Sequence, residues 1–414
     1  MLTGKISNIS MSEYPIIAFT ALLMLAYGSF SKRAEASVIT APMVFTLVGI
    51  LVSLVPNELL HEGPKAPYVK VLAEVTLMIV LFVDASTINL KKLLEARNLP
   101  TRLLLIGLPI TMIMGVLIAI PLFPGVDLWM LLLMALILSP TDAALGQAVV
   151  TSDLVPEKIR QTINVESGLN DGIALPPILI CIAVLSETSG EETGVSYWLV
   201  FILKQFIYGP VIGGLVGWLG GRLVDVTAKR HWMNHKFQRI ASISLAILAY
   251  ASAESLHGNG FIAAFFAGLL LGTRTTETRE RVQEFGETGS HALVLFVFLL
   301  FGMLMVPRAI PNWDWRAVVY ALLSLTVIRM IPVILSLKGT GLPPSTVRFI
   351  GWFGPRGIAS VLYSLMVVLQ LGIEGYERIL SVITLTVLLS IFLHGITAVP
   401  LSRQFQDRKG QPEN

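Results

Sequence analysis

From about residue 15 to about residue 400 the chain alternates between apolar stretches roughly 20 residues long and short polar connections. That rhythm constrains the fold more than any other feature. At about 1.5 Å of rise per residue, a helical run of this length matches the hydrocarbon thickness of a bilayer. No water meets the backbone there, so each N–H and C=O must be satisfied within the protein, and the run is read as a helix. Thirteen such stretches are read, at roughly 15–30, 37–54, 67–86, 103–122, 127–150, 159–185, 196–221, 240–255, 259–273, 289–306, 317–337, 349–371 and 379–400.

Composition supports an all-α membrane protein. The chain is 54% apolar and 14% charged, where soluble domains average roughly 25% charged residues. No connection is long enough for a soluble domain, and residues 401–414 read as a short polar tail. Of the 30 Lys and Arg, 21 fall on one set of alternate connections and 6 on the other. By the positive-inside rule this places the C-terminus in the cytoplasm and the N-terminus outside. The net charge of +3 is spread over the connections, so no nucleic-acid partner is expected. The single cysteine, Cys181, excludes an intramolecular disulfide and a cysteine metal cluster, and its apolar setting reads as packing. The six histidines show no paired ligand spacing inside a span and are read as loop or interface residues.

Two of the stretches carry similar interruptions. The fifth contains Ser139-Pro140-Thr141-Asp142-Ala143-Ala144 and the twelfth Gly354-Pro355-Arg356-Gly357-Ile358-Ala359. Each sets a proline and a charged residue in mid-span, followed by small residues. Proline removes a backbone donor and clashes with the preceding turn, so both helices are expected to break. Seven spans apart, they would be related by an inverted-topology repeat, an arrangement that points to a transporter binding site.

Ionisable residues inside a membrane span are costly and mark function by default. Asp84 and Glu254 are read as near an interface, and Lys204 and Arg329 as able to snorkel or line a cavity. Glu74, Asp142, Glu166, Asp171 and Arg356 are harder to dismiss. In the stretch Glu166-Ser167-Gly168-Leu169-Asn170-Asp171, Ser167 and Asp171 share one helical face, and Glu166 and Asn170 the neighbouring stripe. Arg356 is expected to pair with one of these carboxylates, because an unpaired guanidinium at that depth would be very costly, and Glu166 is one choice. Asp171 is then left to be neutralised by a proton or by a cation, but not by both at full strength. At the break, the Thr141 carbonyl and the Asp142 carboxylate would be oxygen ligands of the kind that hard cations favour.

Glu166-Ser167-Gly168-Leu169-Asn170-Asp171-Gly172, Thr141-Asp142, Gly354-Pro355-Arg356-Gly357 and His257-Gly258-Asn259-Gly260-Phe261-Ile262-Ala263 together resemble the signature motifs of the NhaP/NHE branch of the sodium/proton antiporters. The similarity covers nearly the whole chain. It implies an inverted-repeat fold of about thirteen helices. Residues 15–86 and 240–306 would form a dimer-interface bundle, and 103–185 with 317–400 a core transport bundle, joined by a connecting helix at 196–221. It implies a homodimer in the cell membrane and elevator-like movement of the core. Asp171, Asp142, Thr141, Ser167 and Glu74 would bind Na+ or H+, Asn170 would position Asp142, and Glu166 with Arg356 would form a structural bridge. The Asn170-Asp171 pair goes with electroneutral one-for-one exchange. One departure is Ala143, where many relatives have proline; here the proline is earlier, at Pro140.

The chain is thus expected to be a Na+/H+ antiporter, not an enzyme and without a cofactor, with K+ or Li+ as other substrates. An intramembrane aspartyl protease would need Asp142 and Asp171 to share a proton, but no Gly-Xaa-Gly-Asp motif is present. A cation channel would need a carbonyl filter or charged rings, and no repeated filter sequence is visible.

Overall fold

The computed structural model describes residues 14–35, 37–55, 63–88, 99–142, 154–187, 195–271 and 276–405, together with 145, 147–150 and 152. Among these residues there are fourteen principal helices and no strands. They are α1 (Tyr14–Glu35), α2 (Ala41–Ser53), α3 (Pro67–Thr87), α4 (Leu99–Leu122), α5 (Leu128–Ile137), α6 (Glu157–Glu187), α7 (Val195–Lys229), α8 (His235–Ser255) and α9 (Gly260–Leu271). Next comes α10 (Thr276–Leu300), which runs on through a π turn at Phe301–Met305. It is followed by α11 (Trp315–Ser336), α12 (Pro344–Trp352), α13 (Ile358–Leu371) and α14 (Glu377–Ser402). Ala143 and residues 406–414, most of the expected tail, lie outside the described residues, as does the side chain of Lys204.

Among the described residues six helices are long and apolar enough to cross a membrane alone, including α4, α6 and α14. The shorter apolar helices include α5 and α13, which abut the two expected interruptions. α5 gives way after Ile137 to non-helical backbone through Asp142, and α12 and α13 are separated by Phe353–Gly357. The inner breaks follow the chemistry of Pro140 and Pro355. Ordinary side-chain caps open other helices: Asp127 accepts from the Trp129 and Met130 N–H groups at the start of α5, and Asp314 from Ala317 at the start of α11.

α3 packs against α8, α9 and α10, and α7 packs along α8 and α9. α4, α5, α6, α11 and α14 form a second set, with α13 and α6 reaching across to α3. Helices in lipid gain little from burying apolar side chains against each other and associate through close backbone packing of small residues. The α7–α9 crossing is of this kind. A Cβ on Gly213 would lie 2.1 Å from the carbonyl oxygen of Ala263, and one on Gly217 2.3 Å from that of Ala267. The interior is apolar and nearly continuous from Phe45 on α2 to Ile391 on α14, with Cys181 buried in it as a free thiol.

Gly217→Ala is expected to destabilise the protein by about 1–3 kcal/mol through overpacking at a backbone-to-backbone contact. Gly28→Ala on α1, with nothing within 4 Å of the added methyl, is expected to be close to neutral. Melting of the two variants in detergent checks this, and equal melting temperatures would contradict the packing account.

Candidate functional site

Breaking a helix exposes the C=O groups at one end and the N–H groups at the other, with partial charges to match. The two interruptions meet, and each supplies what the other lacks. The Arg356 guanidinium, from the second break, donates through Nη1 to the carbonyls of Ser139 (2.8 Å) and Pro140 (3.2 Å), just past the C-terminal end of α5. The Asp142 carboxylate, from the first break, accepts from the Ile358 N–H at the start of α13 (2.8 Å). Backbone joins backbone between them, with Asp142 N–H donating to the Pro355 carbonyl (2.9 Å). The Ser360 hydroxyl donates to the Ile137 carbonyl (2.7 Å). A cation thus sits at a helix C-terminus and an anion at a helix N-terminus, each in the stabilising sense. Arg356 is fully buried, and its backbone N–H donates to the Ser390 hydroxyl on α14 (2.7 Å).

The Gly354-Pro355-Arg356-Gly357 motif acquires a steric reading from these contacts. A Cβ on Gly357 would fall 2.0 Å from Asp142 Oδ2, and one on Gly354 2.3 Å from Arg329 Nε. The first glycine makes room for Arg329 and the second for Asp142.

α6 runs past the first break. Its Ser167 hydroxyl donates to the Thr141 carbonyl (2.7 Å), and its Asn170 amide donates to the Thr141 hydroxyl (2.7 Å). Asp171 is 5% exposed, and its Oδ1 is buried with no hydrogen-bond partner. The Tyr363 hydroxyl on α13 donates to the Asp171 backbone carbonyl (3.0 Å) and ties α6 to the second broken helix. Thr141, Asp142, Ser167, Asn170 and Asp171 are thus gathered around one crossing, as expected from their motifs. The bond that Asn170 makes goes to Thr141, while Asp142 is held by α13.

Three expectations are corrected. Glu166 pairs with Arg329, not with Arg356. The contact is bidentate, Nη1 to Oε1 at 2.6 Å and Nη2 to Oε2 at 2.8 Å, between side chains 2% exposed. Arg356 is drawn instead to the carbonyls at the end of α5. Arg329 is therefore neither snorkelling nor lining a cavity; it is buried on α11 just after the helix is interrupted at Thr326. His394 is not a loop or interface residue. It is buried on α14, where Nδ1 lies 3.1 Å from Ser390 Oγ and the ring is 4.9 Å from that of Trp352.

Glu74 is not brought to the crossing. It is 38% exposed and lies 3.9 Å from Lys70, one helical turn away. The part of α3 that touches α6 is ten residues further on, about 15 Å along the helix: the Asp84 carbonyl is 3.4 Å from the place of a Cβ on Gly168. The carboxylates of Asp84, Asp142 and Asp171 lie within electrostatic reach of one another. Asp84 and Tyr363 are the residues near the site that sequence reasoning missed. Asp84 stands three residues before the end of its helix, and nothing in the sequence around Tyr363 marks it as polar machinery.

Residues 18–404 match the family model described as sodium/hydrogen exchanger, transmembrane. The chain is 24% identical over 391 residues, 94% of its length, to the K+/H+ antiporter NhaP of Alkalimonas amylolytica. It is 31% identical over 304 residues to the Na+/H+ antiporter NhaP of Pseudomonas aeruginosa, covering 69% of this chain and 68% of that one. With the K+/H+ antiporter NhaP2 of Shewanella oneidensis it shares 26% identity over 66% of its length. The chain spans less than two-thirds of the length of the Alkalimonas and Shewanella relatives, 66% and 46%. The structure of the sodium proton antiporter MjNhaP1 from Methanocaldococcus jannaschii at pH 8 has the same fold, with a TM-score of 0.77 at 18% identity over 95% of this chain and 99% of that one.

Arg329→Met, which strands a buried Glu166, is expected to lower stability by about 3–5 kcal/mol, while Arg329→Met with Glu166→Leu is expected to recover most of the loss. Melting curves in detergent decide it; a double variant no more stable than the single one would contradict the pairing.

Proposed function

This chain belongs to the sodium/hydrogen exchanger family, and from that premise we propose that it is a multi-pass antiporter exchanging an alkali cation for a proton at Asp171. The observation that carries the reading is the buried, unpartnered Oδ1 of Asp171 beside a break whose oxygen atoms stand close at hand. Each of the other ionisable groups on α6 and at the two breaks has other work. Glu166 is neutralised by Arg329, Arg356 caps α5, and the charge of Asp142 is stabilised at the N-terminus of α13. Asp171 is the carboxylate left to change occupancy.

In this reading the Asp171 carboxylate, the Thr141 carbonyl and the Ser167 hydroxyl coordinate the cation, with Asp142 and Asp84 adding negative charge. The Ser167 hydroxyl, which now donates to Thr141, turns its lone pairs to the cation when one arrives. A proton on Asp171 satisfies the same charge and removes the strongest ligand, so cation and proton compete. Leak is suppressed because an empty, charged site would have to move through a low-dielectric barrier. One carboxylate trading one proton for one monovalent cation makes the exchange electroneutral, with Asn170 contributing no second charge.

The packing of α3 with α8, α9 and α10, apart from α4, α5, α11 and α14, supports a scaffold bundle and a moving core. In the same reading the scaffold carries the homodimer interface, the membrane is the cell membrane, and the C-terminus is cytoplasmic. Relatives named for K+ and for Na+ both occur, so the cation is an arm of the test.

In vesicles holding the purified protein, a gradient of Na+, K+ or Li+ is expected to drive saturable proton flux that is indifferent to an imposed membrane potential. Asp171→Asn is expected to abolish the flux without loss of folding. Exchange by that variant at near wild-type rate would refute the assignment.

A further inference from the structure

At the end of the molecule where α3 and α9 begin and α13 finishes there is a cavity of about 100 Å³, lined by Lys70, Glu74, Phe261, Met366 and Gln370 among others. It is large enough for several water molecules. Its position relative to Asp171 follows from the three helices that build it. On α9, Phe265 follows Phe261 by one turn, and a Cβ on Gly172 would fall 2.4 Å from the Phe265 ring. On α13, Tyr363 precedes Met366 by three residues and donates to the Asp171 carbonyl. On α3, Leu77 lines the cavity, and Asp84, two turns deeper, faces Gly168 of α6. Each wall therefore leads from the cavity toward the backbone around Asp171. Phe265 and Tyr363, each within a turn of a lining residue on its own helix, stand against that backbone.

The mouth of this cavity carries a charged pair. Lys70 and Glu74 are 3.9 Å apart with side chains 56% and 38% exposed. Such a pair is worth little to stability, and its two members sit in an otherwise apolar wall with Gln370 opposite. A carboxylate loosely held by an ammonium is an exchangeable site: an arriving alkali cation competes with Lys70 for Glu74. The exposed pair at the mouth would set the local cation concentration, while the buried Asp171 deeper in the protein would bind.

We propose that this cavity is the outer end of a route to Asp171, and that Lys70 and Glu74 form a cation-displaceable latch that tunes entry of monovalent cations from that face of the membrane alone. Glu74 thereby has a function at the mouth, apart from the cluster around Asp171. The proposal rests on the antiport reading for its substrate, and on geometry for its place.

Two measurements test it. In the first, Glu74→Cys in a Cys181→Ala background is treated with a membrane-impermeant maleimide in vesicles of one orientation. Labelling from one face only is expected; labelling from neither face, or equally from both, overturns the route. In the second, cation-driven proton flux is measured with Na+ or K+ presented on either face. Glu74→Gln is expected to raise the apparent KM about two- to fivefold from the labelled face, and Lys70→Gln to lower it by a similar factor, the size expected of one exposed charge. The apparent KM from the other face should be unchanged. An equal change from both faces, or none from either, overturns the latch. If the unmodified protein carries no exchange at all, the antiport reading fails and with it the latch, while one-sided labelling still shows that the mouth opens to one face alone.

Discussion

Two helices are interrupted inside a membrane, and the peptide groups at the breaks have no water to turn to. Each unmet group in that setting costs several kcal/mol. The fold answers by crossing the breaks, so that Arg356 from one serves the carbonyls of the other and Asp142 returns the favour at the Ile358 N–H. The arrangement is reciprocal in sign as well as in geometry. A guanidinium meets the negative end of a helix and a carboxylate meets the positive end of another. Gly357 and Gly354 are part of the same solution, since any side chain there would occupy the space of Asp142 or Arg329.

That commitment shapes what the remaining charges do. With Arg356 engaged at the end of α5, Glu166 needs another cation, and Arg329 reaches it from α11. With Asp142 held by α13, its charge is a fixed feature of the crossing. Asp171 has a buried oxygen without a partner, and Ser167 and Asn170, which flank it on α6, are both bonded to Thr141. Among the carboxylates of α6 and the breaks, Glu166 and Asp142 are each engaged by a named donor, and Asp171 keeps one oxygen that is not. The Tyr363 bond to the Asp171 carbonyl couples this point to α13, so a movement of the second broken helix is felt at the carboxylate.

Much of this was legible in the chain. The helical membrane class followed from the length of the apolar runs. The interruptions followed from Pro140 and Pro355, and the face shared by Ser167 and Asp171 from their spacing on α6. Partner choice was not legible. The match of Glu166 with Arg329 depends on where α11 is interrupted at Thr326 and on the space left by Gly354, neither of which a linear pattern records. Position along an apolar run also misled: Glu74 stands nearer the middle of its stretch than Asp84, yet it is Asp84 that lies where α3 crosses α6. His394 shows no paired ligand spacing within its apolar run, and its buried contact with Ser390, one turn earlier on α14, is not a pattern that spacing marks.

The central claim is that one carboxylate is shared between a cation and a proton. Its most direct test is the count of protons released when an alkali cation binds to the purified protein in weakly buffered detergent solution, read with a pH indicator alongside binding calorimetry. The account predicts release approaching one proton per cation bound at a pH where Asp171 is protonated, and none in Asp171→Asn. Saturable cation binding to the unmodified protein with no proton release at any pH would contradict it.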